Sequence, residues 1–254
     1  MRPAQPNQSL IDGLACLQVL ASHAEPVGSR ELGRMLGLEP TRVNRLLKTL
    51  AYVGLAQQDA HRKYLPGPGI HVLAAQSLRG SGLIRRALGP LESLFDLGHQ
   101  VAMGVLWGDQ VCYFYHSSPG ESPGAGLGRE PLYPAAASGL GQALLARLDD
   151  EAVRELYDGS TGRHPVAPSR HPVDTDALSR TLATVRDSGY ALVKTLEPAG
   201  YRTLAVALDG GDAAAIGVAG LFPDEDVPGM LARLEAVRDE IDSADGEAGP
   251  AVRR

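Results

Sequence analysis

The sequence predicts an α+β chain in two parts: a small helical head that ends in a two-stranded wing, and a larger body of mixed helices and antiparallel strands. Three observations carry this. The charge is split unevenly: of a net −6, residues 1–66 hold eight Lys and Arg against five Asp and Glu, or +3, which leaves −9 for the remainder. The apolar period is helical through the first fifty or so residues and then changes repeatedly between helix-like and strand-like spacing. Pro66, Gly67, Pro68 and Gly69 punctuate the chain between the two patterns.

In the head, Leu10, Leu14, Leu17 and Ala21 recur at helical spacing and predict an amphipathic helix over 9–22, with Ser9 as its N-cap. Pro26 interrupts the chain. Ser29 is placed to cap a short helix from Arg30 to Leu36, with Leu32, Met35 and Leu36 inward, and Gly37 stands where a left-handed residue stops a helix. Pro40 and Thr41 open a third helix. Its apolar stripe is Val43, Leu46, Leu47, Leu50 and Val53; Arg42, Asn44, Arg45, Lys48 and Thr49 take the remaining surface, and Gly54 ends it. Leu55 to Gln58 and Lys63 to Leu65 then read as a hairpin around an Asp-Ala-His turn, with Arg62 and Lys63 near the tip.

Residues 67–82 read as a linker helix centred on Ile70 to Leu78, and 83–245 as the second domain. Leu83 to Leu97 is expected to be helical, and strands at Val101 to Trp107 and Val111 to His116 meet at Gly108-Asp109. Pro119 to Gly128 reads as a loop. Helices are expected at Ser138 to Leu148, Glu151 to Tyr157, Thr175 to Ser188 and Val227 to Ile241. Strands are expected at Tyr190 to Thr195, Thr203 to Leu208 and Ala215 to Leu221. The chain after Asp242 is small and charged, and 246–254 is expected to be a disordered tail.

Several chemistries find no support. Cys16 and Cys112 are the only cysteines and have no ligand spacing, so neither a zinc site nor a disulfide framework is indicated. His61, His71, His99, His116, His164 and His171 are scattered; His164-Pro165 and His171-Pro172 read as loop residues. Ala136 and Leu140 stand where a nucleophile elbow needs glycine, and Gly124, Gly126 and Gly128 lack the strand-to-helix context of a nucleotide loop. Trp107 and Tyr113 read as core or pocket wall. No catalytic residue, metal site or cofactor is therefore expected. With no long apolar run and no leader pattern at Met1 to Ser9, the expectation is a cytoplasmic chain with no membrane partner.

The head carries the sharpest signal. Two short helices joined by a tight glycine turn, the second basic outside, match a helix-turn-helix with a wing. Arg42 and Arg45 can each be bidentate to guanine, Asn44 can pair with adenine, and Lys48 suits phosphate. Thr41, Ser29 and Arg30 are placed for further contacts at the helix starts, and Arg62 and Lys63 for the wing. The partner this implies is double-stranded operator DNA. An enzyme with an accessory head would need a nucleophile and base in the second domain, and the sequence offers no such pair.

The run SRELGRMLGLEPTRVNRLLKTLAYVGLAQQDAHRKYLPGP resembles the winged-helix head of the IclR family of bacterial regulators. PAAASGLGQALLA resembles the opening of that family's long effector-domain helix, and RDSGYALVKTLEPAGYRTLAVAL the strand pair that closes its pocket. The resemblance runs from about Leu10 to Ile241. It implies a GAF/profilin-like second domain that binds a small metabolite, commonly a carboxylic or sugar acid, and a homodimer or dimer of dimers on palindromic sites. It places the effector on Ala137, Ser138, Gly139 and Leu140, where helix N–H groups face an anion, and on Met103, Tyr190, Thr203 and Ala219 of the facing strands. This chain departs from the pattern at Val193, Lys194 and Thr195, at Thr203, and at Gly217 and Ala219, where the family often has acids, a cysteine and serines. Fewer polar groups imply either a bulkier, less polar effector or a pocket without one.

Overall fold

Cys16, Leu20, Val27, Leu32, Val43, Leu47, Ala56 and Tyr64 converge on one small core, and this convergence builds the head. The computed structural model describes residues 5–121, 126, 132–158, 173–194, 200–210 and 213–247. Two compact units are divided between Gly80 and Ser81. The His164 and His171 loops, Gly124, Gly128, Thr195 and the tail from residue 248 lie outside the described residues.

The first unit contains α1 (Gln8–Ser22), α2 (Ser29–Leu36), α3 (Pro40–Tyr52), β1 (Ala56–Gln58), β2 (Tyr64–Pro66) and α4 (Pro68–Ser81). The expected caps move by one or two residues. Asn7 rather than Ser9 caps α1, accepting from the Leu10 N–H at 3.1 Å. Gly28 precedes α2 and puts Ser29 inside the helix, with no side-chain cap bond. Gly37 is left-handed, φ 65°, as a glycine C-cap permits. β1 and β2 pair antiparallel, and Val27 forms an isolated antiparallel bridge to β2, exchanging two 2.8 Å backbone bonds with Tyr64.

The face of α1 is the main correction in this unit. Asp12, Gly13, Cys16 and Leu20 point inward, whereas Leu10 and Leu14 of the expected apolar stripe are exposed. Met35 and Val53, expected inside, are also exposed. Along α4, every residue from His71 to Gly80 is exposed, including Val72, Leu73 and Leu78. The stripes are real, but a single copy of the chain does not bury them.

The second unit is built on a six-stranded antiparallel sheet of order β5-β4-β3-β8-β7-β6. The strands are β3 (Gln100–Trp107), β4 (Gln110–Ser117), β5 (Tyr133–Pro134), β6 (Ala191–Lys194), β7 (Arg202–Ala207) and β8 (Ala214–Gly220). α5 (Leu83–Glu92) and α9 (Val227–Glu247) cover one face, over Leu91, Met103, Tyr115, Leu204, Ile216 and Leu234. α6 (Gly139–Leu145), α7 (Asp150–Tyr157) and α8 (Thr175–Ser188) cover the other, where the strands present Ala102, Ala191, Ala205 and Ala215. Period-2 alternation sends large side chains to the first face and small ones to the second. The small face lets α6 lie close: a Cβ on Gly139 would stand 2.7 Å from Thr203 Cγ2 of β7. The expected helix at 83–97 gives way after Glu92 to a separate short turn at Phe95–Leu97. α9 runs on to Glu247, past the expected end at Ile241.

Candidate functional site

The outer face of α3 is the first site. Thr41, Arg45, Lys48, Thr49 and Tyr52 form its exposed stripe, and Tyr52 is 90% exposed. Arg45 and Lys48 have no ion pair among the described residues, so two uncompensated cations stand on this surface. Asn44 is half-buried on one flank. Arg42 lies on the other flank, where its Nη2 is 2.6 Å from Oδ2 of Asp12 on α1. Helical spacing groups Arg42 with the outward residues, but it is tethered to a carboxylate that periodicity gives no reason to expect inside.

The wing presents Arg62 and Lys63 on a tight turn, both exposed. Asp59 holds that turn: its Oδ1 accepts from His61 N at 2.9 Å and Lys63 N at 2.8 Å, and Gln58 Nε2 donates to the Arg62 carbonyl at 3.1 Å. Arg62 has φ 62°, a left-handed conformation that non-glycine residues seldom adopt. Arg30, near the start of α2, is exposed, and Ser29 is half-buried beside it.

The second site is a cavity of about 300 Å³ on the small-residue face of the sheet, at the N-terminal end of α6. Ala137, Ser138, Gly139, Leu140, Thr203 and Ala219 line it, as expected from sequence. Met103 and Tyr190 do not. Both point to the opposite face, Met103 fully buried in the core under α5 and α9 and Tyr190 packed against it. Met103 shares β3 with the lining residue Gln100, but parity sends it through the sheet; Tyr190 stands just before β6, from which no residue lines the cavity.

Gln100, Tyr113, His116, Tyr133, Tyr201, Gly217 and Val218 complete the lining, and among the described residues none of it is Lys, Arg, Asp or Glu. A β-bulge accounts for two of these. Met103 pairs with Tyr115 and Gly104 with Tyr113, so Phe114 is an extra residue in β4. The slip turns Tyr115 into the far core and brings His116, three residues from Tyr113, onto the same face as Tyr113. Their rings meet edge to face at 5.8 Å. Simple alternation would have put Tyr115 in the cavity instead of His116.

The Ser138 hydroxyl links the cavity to the helix above it. It accepts from Gly141 N at 3.2 Å as the N-cap of α6 and lies 2.9 Å from the Tyr113 hydroxyl. α6 is only seven residues long. Ser138 is therefore both cap and cavity wall. Gly217 also has a packing reason for lacking a side chain: a Cβ there would stand 2.8 Å from Leu140 Cδ1. No cluster of His, Cys, Asp or Glu able to hold a metal occurs among the described residues. No helix among them is long and apolar enough to cross a membrane.

A helix-turn-helix head with a wing and a basic outer helix, followed by a mixed α/β unit with an open cavity on its sheet, defines the class of a DNA-binding regulator with an effector domain. The IclR helix-turn-helix domain matches residues 9–60, and the bacterial transcriptional regulator IclR C-terminal domain matches residues 75–237. The chain belongs to the IclR family of transcriptional regulators, and its relatives are regulators and not enzymes. It is 31% identical over 202 residues to the HTH-type transcriptional regulator BhcR of Paracoccus denitrificans, covering 75% of this chain and 69% of that protein. It is 27% identical over 200 residues to the Pca regulon regulatory protein of Pseudomonas putida, covering 78% and 68%. Among solved structures, an IclR transcriptional regulator from Silicibacter sp. TM1040 superposes with a TM-score of 0.77 at 21% identity, covering 95% of this chain and 98% of that one. An IclR homolog from Microbacterium hydrocarbonoxydans, complexed with 4-hydroxybenzoate, gives 0.68 at 21% identity, covering 94% and 100%. At these identities the structures share the fold.

Proposed function

We propose that the head reads specific operator DNA with α3 in the major groove and the wing on the backbone, and that the cavity binds a single-ring aromatic carboxylic acid that controls this binding. The observation that carries the DNA half is the pair of exposed, unpaired cations Arg45 and Lys48 on a helix whose inner face is fully committed to the core. Arg45 suits a guanine edge and Lys48 a phosphate. Arg30, Arg62 and Lys63 add phosphate contacts around them.

For the ligand, the support is the lining. Tyr113, Tyr133, Tyr201 and His116 offer aromatic surface, and Gln100, Ser138 and Thr203 offer hydrogen-bonding groups in the lining of a ring-sized cavity. The 4-hydroxybenzoate held by the Microbacterium homolog is a ligand of this size and chemistry. A short oxoacid would leave most of the aromatic wall unused. The exposed Leu10, Leu14, Val72, Leu73 and Leu78 support a homodimer through the heads, which would set two half-sites on the DNA.

A thermal-shift series on the full chain with 4-hydroxybenzoate, benzoate, glyoxylate and gluconate tests the ligand reading. The expected result is a concentration-dependent rise in Tm with the aromatic acids. A rise confined to glyoxylate or gluconate would replace the aromatic reading with a short-chain one.

A further inference from the structure

The Asp12 carboxylate is the feature of the head that packing alone does not require. α1 needs an apolar residue where it meets α3, yet it places there a carboxylate whose side chain is 6% exposed. Burying a carboxylate is unfavourable unless it is paired and hydrogen-bonded. Asp12 has both: Gln8 Nε2 donates to Oδ1 at 2.7 Å, and the Arg42 guanidinium lies 2.6 Å from Oδ2. The negative charge is felt locally, since burial and then Asp12 push the Cys16 thiol up to about 11.

Arg42 is not buried with its partner. Its side chain is 42% exposed. A guanidinium carries five N–H donors in a rigid plane, and the contact with Asp12 is made through Nη2. The rest of the fork stays available on the open side. Arg42 stands in the first turn of α3, three residues before Arg45, in the part of a recognition helix that approaches base edges. Losing Arg42 to the DNA would strand a buried carboxylate with only an amide for company. The pair therefore stays closed when DNA binds.

We infer that Asp12 is a positioning residue for base recognition: it holds Arg42 in one rotamer, so that the free edge of the guanidinium meets a guanine in fixed register with Arg45. This rests on the DNA-binding reading above. A flexible arginine must lose rotamer freedom on binding, whereas one already held by a carboxylate loses less of it. The gain appears as base discrimination at one position of each half-site. A strut between α1 and α3 would give stability without it.

The test is selection of duplexes from a random-sequence pool by the full-length wild type, Asp12→Asn, Arg42→Ala and Arg42→Lys, with Tm measured for each. The wild type is expected to enrich a motif with a guanine that Asp12→Asn and Arg42→Ala both lose, by about tenfold in preference, while the other positions persist. Arg42→Lys keeps an ion pair to Asp12 and so protects the fold, but it lacks the fork and is expected to lose the same guanine. A wild-type motif retained at every position in Asp12→Asn and Arg42→Lys would overturn the inference and leave DNA binding standing. So would a loss spread evenly over all positions, which is the mark of a strut. A wild type that enriches no motif would overturn the DNA-binding reading itself.

Discussion

The head and the body handle small and large side chains in opposite ways. The head gathers a few large apolar residues inward and places its function on a convex outer surface of charged side chains. The body lines one sheet face with Ala and Gly and places its cavity in the space they leave. A convex basic face tolerates substitution of its outward residues, because nothing packs on them. A concave site built from absent side chains tolerates very little. The two sites should therefore fail differently: the α3 face by losing function with its fold intact, the cavity by losing fold and function together.

Gly141→Ala, beside the cavity at the start of α6, is expected to be the most damaging change in the body. The three atoms nearest the new methyl would all be Ala135 backbone, the closest at 2.2 Å, so the closest clash is not with a side chain that can move aside. The expected cost is about 3 kcal/mol or more, read as a shift in the denaturation midpoint. A neutral result would mean that α6 is not held closely against the turn at Ala135.

The head has its own sensitive point. The Cys16 thiol is raised from 9.0 to about 11, chiefly by burial. The folded state thus keeps the proton at pH values where the unfolded chain releases it. The resulting stabilisation is complete below pH 9 and is lost as pH rises toward 11, by up to about 2.7 kcal/mol for two pKa units. Melting curves of wild type and Cys16→Ala across that range should converge in slope only if another group is responsible.

On the convex face, Arg45→Ala should weaken operator binding about thirtyfold, or about 2 kcal/mol, with no change in Tm. A fall in Tm of several degrees would show that Arg45 supports the fold, and the contrast between the two sites would narrow. The smallest effect is expected at Ser138. Ser138→Ala removes the α6 cap and the contact with Tyr113, for about 1 kcal/mol of stability, and should weaken ligand binding in the same variant. Lost stability with unaltered ligand binding would reduce Ser138 to a cap.

The two regions also differed in how far the sequence revealed them. The helix-turn-helix and wing followed from apolar period, Gly37 and the proline breaks, because these act within a few residues. Leu10 and Leu14 misled for the same reason: periodicity finds a stripe but does not say whether the chain or a partner covers it. In the body, six cavity residues were found through resemblance to known effector domains. Met103 and Tyr190 failed on parity, and His116 was missed because a one-residue bulge at Phe114 reverses parity in the middle of β4. Neither bulges nor buried pairs such as Asp12 with Arg42 have a period, and both depend on which strand or helix lies alongside.

Specific DNA binding by the uncompensated cations of α3 is tested most directly by equilibrium binding under a salt titration. Wild type and the double variant Arg45→Ala, Lys48→Ala would be measured on the duplex enriched by the wild type, from about 50 to about 200 mM salt. The expected result is a steep loss of wild-type affinity with salt, and a double variant that binds far more weakly with a shallower slope. Salt-independent binding, or a double variant indistinguishable from wild type, would contradict it.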